Sequence, residues 1–133
     1  MLRLEIVTPE KRVLDASVDS VTVPTVSGEA GILPNHAPLI SALKPGILSY
    51  SNKGTTERLA IAGGFVEVSS NKVAVLTDTA ETADEIDMDA ARVEREAAEK
   101  VLAAQASTPL DDTESQRERL DAANARLQLG TGR

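Results

Sequence analysis

The spacing of the apolar residues changes near Asp84, and this change constrains the fold more than any other feature of the chain. Before it, short runs alternate between apolar and polar residues, as Leu2, Leu4 and Ile6 do at the start, and this alternation is the period of a half-buried strand. Gly, Pro and Asn residues separate the runs, as they do in antiparallel sandwiches and barrels. We therefore predict an antiparallel β-sandwich or barrel over residues 1–84.

Two details of this half follow from its Gly and Pro residues. The tripeptide Lys44-Pro45-Gly46 predicts a turn between two strands, and Asn52-Lys53-Gly54 predicts the next turn. Gly63 and Gly64 precede a strand-like run instead of the helix that a phosphate-binding loop requires. We expect these two glycines to mark a bulge or a close approach of two backbones.

From Ile86 onward, the apolar residues recur every three or four positions, which is the period of an amphipathic helix. Asp84 or Asp87 can cap the start of this helix by accepting hydrogen bonds from free backbone N–H groups. The predicted apolar stripe of the first helix consists of Ala90, Val93, Ala97, Val101 and Ala104.

A second helix is predicted after the segment Ser107-Thr108-Pro109, where the proline interrupts helical hydrogen bonding. Its apolar stripe consists of Leu120, Ala123 and Leu127. Gly130 is a suitable residue for the C-cap. The pattern predicts an α-helical hairpin over residues 85–133 and an α+β fold for the whole chain.

The apolar positions of this hairpin are mostly Ala, which makes its packing thin. Burying one methyl group contributes only about 0.8 kcal/mol, so a hairpin of this kind can leave its docking surface at a cost that a partner could supply. The alternative is that the small side chains let the two helices pack closely and have no regulatory role.

Composition excludes several classes of function. The net charge is −7 and aromatic residues make up 2% of the chain, whereas nucleic-acid binding relies on basic patches and on stacking. The chain has no Cys, so it has no disulfide, thiolate nucleophile or Cys-ligated zinc. No stretch approaches the roughly 18 apolar residues of a membrane span, and we expect membrane contact only through partners.

His36 is the only histidine in the chain and lies between two prolines. A catalytic role would need a base, a nucleophile and an orienting group together; Ser41 and Asp78 are available, but no Gly-x-Ser-x-Gly motif is present. A single histidine is also a poor metal site. We favour a protein without catalytic residues over a small enzyme, and a generic adaptor stays open as a third class.

Three stretches of the first half combine into a pattern that resembles a known family. The most distinctive is Gly28-Glu29-Ala30-Gly31-Ile32-Leu33-Pro34-Asn35-His36-Ala37-Pro38-Leu39, which runs on to Leu43-Lys44-Pro45-Gly46; the others are residues 7–11 and residues 61–81. In order and spacing they resemble the epsilon subunit family of F-type ATP synthases. The second half is similar to that family in its pattern, through Ile86-Asp87 and the Ala-rich hairpin, more than in a motif.

The resemblance implies a β-sandwich at the foot of the central stalk, between the gamma subunit and the ring of c subunits. Glu29 and His36 match the loop positions that contact these rotor partners. It also implies a peripheral location on an energy-transducing membrane, at the cytoplasmic face of a bacterial inner membrane or the stromal or cytoplasmic face of a thylakoid.

The resemblance further implies that the two helices either fold against the sandwich or extend toward the alpha and beta subunits of the catalytic head and restrain ATP hydrolysis. Arg117, Arg119 and Arg126 would otherwise form a solvated helix face. In the extended arrangement, these three cations could meet an acidic segment of a catalytic subunit.

Some members of the family bind ATP through a motif of the form Ile/Leu-Asp-x-x-Arg-Ala. This chain has Ile86 and Asp87 at the first two positions, but Ala90 stands where the arginine belongs. Arg92 follows two residues later, rotated by about 200° around a helix. Because the planar cation that can bind phosphate is missing from its place, we predict no nucleotide cofactor.

Overall fold

The computed structural model of the chain describes residues 1–104 and 110–131. The strands are β1 (Leu2–Val7), β2 (Arg12–Val18), β3 (Ser20–Thr25), β4 (Gly28–Ile32), β5 (Leu39–Asn52), β6 (Thr55–Ser69), β7 (Lys72–Leu76) and β8 (Ala80–Glu81). A short 3-10 helix (Ala83–Glu85) leads into α1 (Met88–Ala104) and α2 (Leu110–Thr131).

The strands form one continuous path of hydrogen-bonded neighbours in the order β2-β1-β7-β6-β5-β3-β4, with β8 added to β6. The long strands β5 and β6 pair from Leu39↔Val68 to Asn52↔Thr55. One buried cluster contains apolar residues from both ends of this path, such as Val18 of β2 and Ile32 of β4. The sheet therefore folds over a single core, which confirms the predicted β-sandwich. Among the strands of the described residues, β1 and β7 are the one parallel pair.

The predicted turn at Lys44-Pro45-Gly46 is wrong, because β5 continues through these residues. Pro45 pairs with Ala62 of β6. On the other side, the pairing of β5 with β3 shifts between Thr22 and Thr25, so the missing N–H of Pro45 falls where that ladder is interrupted. Gly46 allows the backbone of β5 to pass Pro24, whose Cβ would lie 3.0 Å from a Cβ at position 46.

The other two predictions from turn and glycine residues are confirmed. Lys53 and Gly54 form the turn between β5 and β6, both with positive φ (52° and 82°). Gly64 has a φ of 113°, and a Cβ there would overlap the backbone carbonyl of Leu76. Strands β6 and β7 approach so closely at this point that only glycine fits.

Asp87, one of the two cap residues that the sequence predicted, caps helix α1, but the helix buries a different stripe from the predicted one. The Oδ1 atom of Asp87 accepts a hydrogen bond from the Ala90 N–H at 3.0 Å. Ala90 is exposed and Val93 is 65% exposed, whereas Ala91 and Ala98 are fully buried. The predicted stripe is therefore wrong by about one residue, or 100° of rotation, because α1 packs mainly along α2 and buries only a narrow line.

Helix α2 lies between the sandwich and α1 and is buried on two opposite sides. Ala125 and Leu129 pack with Ala60 of β6 and with Ile86. Ala123 and Leu127 are buried on the other side of α2, about 200° around the helix. The predicted stripe is thus largely confirmed, although Leu120 is only half-buried.

Gly130 is not the C-cap of α2, because the helix continues to Thr131. A Cβ at this position would overlap the sulfur of Met88, so the glycine lets the start of α1 pack against the end of α2.

The predicted break at 107–109 lies outside the described residues. The hairpin itself is confirmed, while the division into domains at residue 84 stays a prediction. Over the described residues, neither helix is long and apolar enough to cross a membrane.

Candidate functional site

His36 lies in the loop 33–38, which connects β4 to β5. Its backbone N–H donates to the carbonyl of Leu33 at 3.1 Å, and its Nδ1 lies 2.6 Å from the carbonyl oxygen of Ala37. A carbonyl oxygen only accepts, so Nδ1 carries a proton and, in the neutral ring, Nε2 is the acceptor. The loop thus holds the half-buried imidazole in one orientation.

Glu29 lies on strand β4, opposite Pro24 of β3, with an exposed side chain. It lines a groove of about 320 Å³ together with Lys44 of β5 and with Asp121 and Gln128 of α2. His36 is not among the residues that line this groove. The structure therefore places Glu29 beside the docked hairpin and His36 in the loop beyond β4, and does not bring them into one cluster.

Two of the three predicted arginines are bound to carboxylates within the chain. Arg119 Nε donates to Glu94 of α1 at 2.6 Å, which joins the two helices. Arg126 joins α2 to β8, with Nε 2.8 Å from Glu81 Oε1 and Nη2 donating to Oε2 at 3.4 Å. Arg117 is exposed and lies about 200° around α2 from Arg119.

The Glu81–Arg126 pair is half-buried, with side-chain exposures of 26% and 24%. Among the described residues, the buried Nε of Arg126 has no well-aligned hydrogen-bond acceptor. The attraction between the two charges therefore contributes more to this pair than well-aligned hydrogen bonds do. Both ion pairs line one groove of about 530 Å³ between the sheet and the hairpin, beside Lys11 and Glu85.

The residues of the incomplete nucleotide motif have structural roles in this fold. Ile86 is buried under α2, and Asp87 caps α1. Ala90 is exposed, and Arg92 is paired with Asp89 at 2.8 Å. Arg92 is thus engaged with a carboxylate on its own helix. Within residues 1–104 and 110–131, no three His, Asp or Glu side chains are grouped so that they could hold a metal ion.

Comparison with known proteins assigns the chain. Residues 1–83 match the family model for the ATP synthase delta/epsilon chain β-sandwich domain. Over 126 residues, the chain is 44% identical to an ATP synthase epsilon chain of Desulfitobacterium hafniense (strain Y51), covering 95% of this chain and 86% of that one. The chain belongs to the ATP synthase epsilon-chain family.

Two further relatives agree with this assignment. An ATP synthase epsilon chain of Carboxydothermus hydrogenoformans is 51% identical over 102 residues, covering 77% of this chain and 76% of the relative. A chain in the cryo-EM structure of the Euglena gracilis mitochondrial ATP synthase OSCP/F1/c-ring assembly superposes with a TM-score of 0.77 at 25% identity, over 96% of this chain and 79% of that one. Members of the epsilon-chain family are subunits of a rotary enzyme complex, as the sequence resemblance predicted.

The structure also shows a surface that the sequence analysis missed, an apolar row on the outer face of the sandwich. Ala42, Phe65, Leu76 and Val7 lie side by side on β5, β6, β7 and β1. Phe65 and Leu76 are 58% and 56% exposed. Ile40, two residues before Ala42 on the same face, is 75% exposed. A contiguous apolar surface of this kind usually marks a protein interface.

The sequence also contained no indication that Glu81 and Glu94 would bind Arg126 and Arg119. They lie 45 and 25 positions from their arginines, and no local periodicity relates residues so far apart. The Phe65 surface, by contrast, had a signal. Val66 and Val68 face the core, so strict alternation already places Phe65 on the outer face.

We expect acid to loosen the contact between the two helices. The hydrogen bond and charge of Arg119 lower the pKa of Glu94 below its ordinary value of 4.5, so the folded state is favoured at neutral pH, and this contribution disappears as the pH falls from 4.5 through the lowered pKa. The protection of the α1 amides, measured relative to the intrinsic exchange rate at each pH, should therefore decrease in that range. In Glu94→Gln this loss of protection should be smaller, and because the Arg119 and Glu94 side chains are 43% and 41% exposed the effect should stay below about five-fold. Equal acid responses in the two proteins would contradict this assignment.

Proposed function

We propose that this chain is a non-catalytic rotor subunit, which links the gamma subunit to the ring of c subunits and restrains ATP hydrolysis through its helices. The observation that carries the proposal is the apolar row of Ala42, Phe65, Leu76 and Val7, an interface-type surface on a chain of this family. If the proposal is correct, the chain purifies with gamma and the catalytic head; a chain that purifies alone from cells with an assembled synthase would refute it.

The gamma subunit is the proposed occupant of the apolar row. A second row of residues runs beside it on the same face and contains Ile40 and the charged residues Glu67 and Glu5. An apolar centre with a charged rim is typical of a stable protein interface. The ring of c subunits would contact the loop 33–38 and Glu29, where the loop offers a fixed imidazole and β4 offers a carboxylate.

The hairpin is the proposed regulatory part. It is attached to the sandwich by few large side chains, mainly Ile86 and Leu129, each of which contributes about 1.5–3 kcal/mol when buried. Arg119 and Arg126 are bound to Glu94 and Glu81 while the hairpin is docked. An acidic segment of an alpha or beta subunit could replace these carboxylates when the helices extend, so the same cations would serve both states.

We also propose that the chain has no nucleotide cofactor. Ala90 removes the motif arginine, Arg92 pairs with Asp89, and Glu81 already occupies Arg126 in the groove between sheet and hairpin. Micromolar binding of ATP to the isolated chain in a calorimetric titration would overturn this view. The location that goes with the proposed partners is peripheral, at the cytoplasmic face of a bacterial inner membrane or the corresponding face of a thylakoid.

We expect Glu29→Ala and His36→Ala each to weaken binding to the rotor by a few-fold, because each removes one polar contact of about 1 kcal/mol. Binding to a detergent-solubilised gamma–c-ring assembly measures the effect. Glu57→Ala is the matched control, since Glu57 is exposed at the far end of β6. The contact role is wrong if both variants bind as the control does.

A further inference from the structure

An asparagine pair joins the loop 33–38 to the turn between β6 and β7. The backbone N–H of Asn35 donates to the side-chain Oδ1 of Asn71 at 2.6 Å. The Nδ2 of Asn71 reaches Oδ1 of Asn35 at 3.5 Å. The two residues are 36 positions apart, so the contact connects segments that are distant in sequence.

Both asparagines have a left-handed backbone, with φ of 66° at Asn35 and 61° at Asn71. Asparagine tolerates this conformation better than most residues, although it is still less favourable than the right-handed one. A left-handed residue in a loop is maintained when its surroundings fix it. Asn35 lies inside the turn that the His36 N–H closes on the Leu33 carbonyl at 3.1 Å, and the hydrogen bond from its own N–H to the Asn71 side chain is a second restraint, which ties this turn to the sheet.

Asn71 is the anchored member of the pair. Its backbone carbonyl accepts a hydrogen bond from the Arg3 N–H at 2.9 Å, which ties the turn to the start of β1. Ser69 and Lys72 pair across the same turn. The turn therefore belongs to the sheet, and the Asn71 side chain extends that support to the loop.

We propose that Asn71 is a positioning residue for the rotor contact made by His36. This inference rests on the proposed function of the loop 33–38. Asn35 immediately precedes His36, so a change in the backbone of Asn35 would redirect the following peptide and the imidazole with it. Asn71 acts through Asn35 and does not itself need to touch a partner.

Two substitutions at Asn71 distinguish the contribution of its side-chain acceptor from that of its backbone conformation. Asn71→Gly keeps the left-handed conformation but removes the acceptor, whereas Asn71→Asp keeps an oxygen acceptor in the same place. A matched control exists at the opposite end of β5 and β6. There the N–H of left-handed Lys53 donates to Asp19 Oδ2 at 2.8 Å, and Asp19→Ala removes an equivalent bond far from the loop.

The experiment measures amide exchange in the full-length chain and its affinity for a detergent-solubilised gamma–c-ring assembly. Asn71→Gly should accelerate exchange of the Asn35 amide and weaken binding by roughly five-fold, the factor that corresponds to one intramolecular hydrogen bond. Asn71→Asp should keep both the slow exchange of the Asn35 amide and the affinity of the unmodified chain. Asp19→Ala should accelerate exchange at Lys53 and leave binding unchanged.

Each other outcome overturns the inference for a different reason. Unchanged exchange of Asn35 in Asn71→Gly would show that the bond does not hold the loop. Faster exchange with unchanged binding, while His36→Ala still weakens binding, would show that the bond does not position the contact. If neither Asn71→Gly nor His36→Ala weakens binding, the proposed loop function itself has failed. Equal losses of affinity in Asn71→Gly and Asp19→Ala would indicate a general loss of stability.

Discussion

Phe65→Asp should abolish stable association with the gamma subunit while the chain stays folded. Phe65 is exposed at the centre of the apolar row, and a buried aromatic at the centre of an interface typically contributes about 2 kcal/mol or more, which is roughly thirty-fold in affinity. A charge placed there would also have to be desolvated without a partner. Binding of the full-length variant to purified gamma subunit measures the effect.

Val26→Asp is the control for this experiment. Val26 is 63% exposed, close to the value for Phe65, but lies between β3 and β4 and not in the apolar row. Both substitutions are on the surface, where stability usually changes little, and thermal unfolding checks this for each protein. The gamma assignment is contradicted if the two variants bind gamma equally well while both remain folded.

The sequence was sufficient for the elements that depend on local pattern. The alternation of Leu2, Leu4 and Ile6 predicted a strand, and all three residues are buried in the core. Asp84 or Asp87 was predicted as the cap of α1, and the structure shows that it is Asp87. Gly63 and Gly64 were expected at a bulge or a close backbone approach, and at Gly64 the backbone carbonyl of Leu76 lies close by. In each case the determining interaction is within a few residues or is a steric demand that only glycine meets.

The features that the sequence missed depend on contacts between distant segments. Pro45 looked like part of a turn because proline removes a donor, but the interrupted ladder with β3 makes that loss harmless. The stripe of α1 was placed on Val93, although Ala91 and Ala98 are the buried residues of this helix. With Ala on several sides of a helix, periodicity alone cannot select the buried one, and only the partner helix decides.

The predicted site residues show the same contrast between what local sequence indicates and what contacts between distant segments decide. Arg119 and Arg126 were recognised as cations, but their carboxylates come from α1 and β8, and only the tertiary fold brings these elements together. His36 was identified through its loop, whereas Asn71, which supports that loop, lies on a different hairpin. Sequence reasoning thus found residues with unusual chemistry and missed the residues that hold them in place.

Removal of all residues after Asp84 should raise the ATPase activity of the assembled complex. The hairpin carries the cations proposed to meet the catalytic head, and its loss would remove the restraint on hydrolysis. We expect an increase on the order of five-fold or more, because five-fold corresponds to the lower end of typical coupling free energies between two sites. The sandwich core, with the residues packed against it, lies within residues 2–80, so the shortened chain keeps the packing that folds it and the apolar row that would bind gamma.

The full-length variant Arg119→Ala/Arg126→Ala separates the two functions of the hairpin without deleting it. It removes the cations proposed to contact the head, and it also removes the ion pairs with Glu94 and Glu81 that hold the docked state. If the arginines restrain the head, its ATPase activity rises toward that of the shortened chain. If they serve only to dock the helices, their loss frees the hairpin and ATPase activity falls below that of the unmodified complex. An activity unchanged by both the deletion and the double substitution would refute the regulatory role of the helices and leave the rotor role of the sandwich intact.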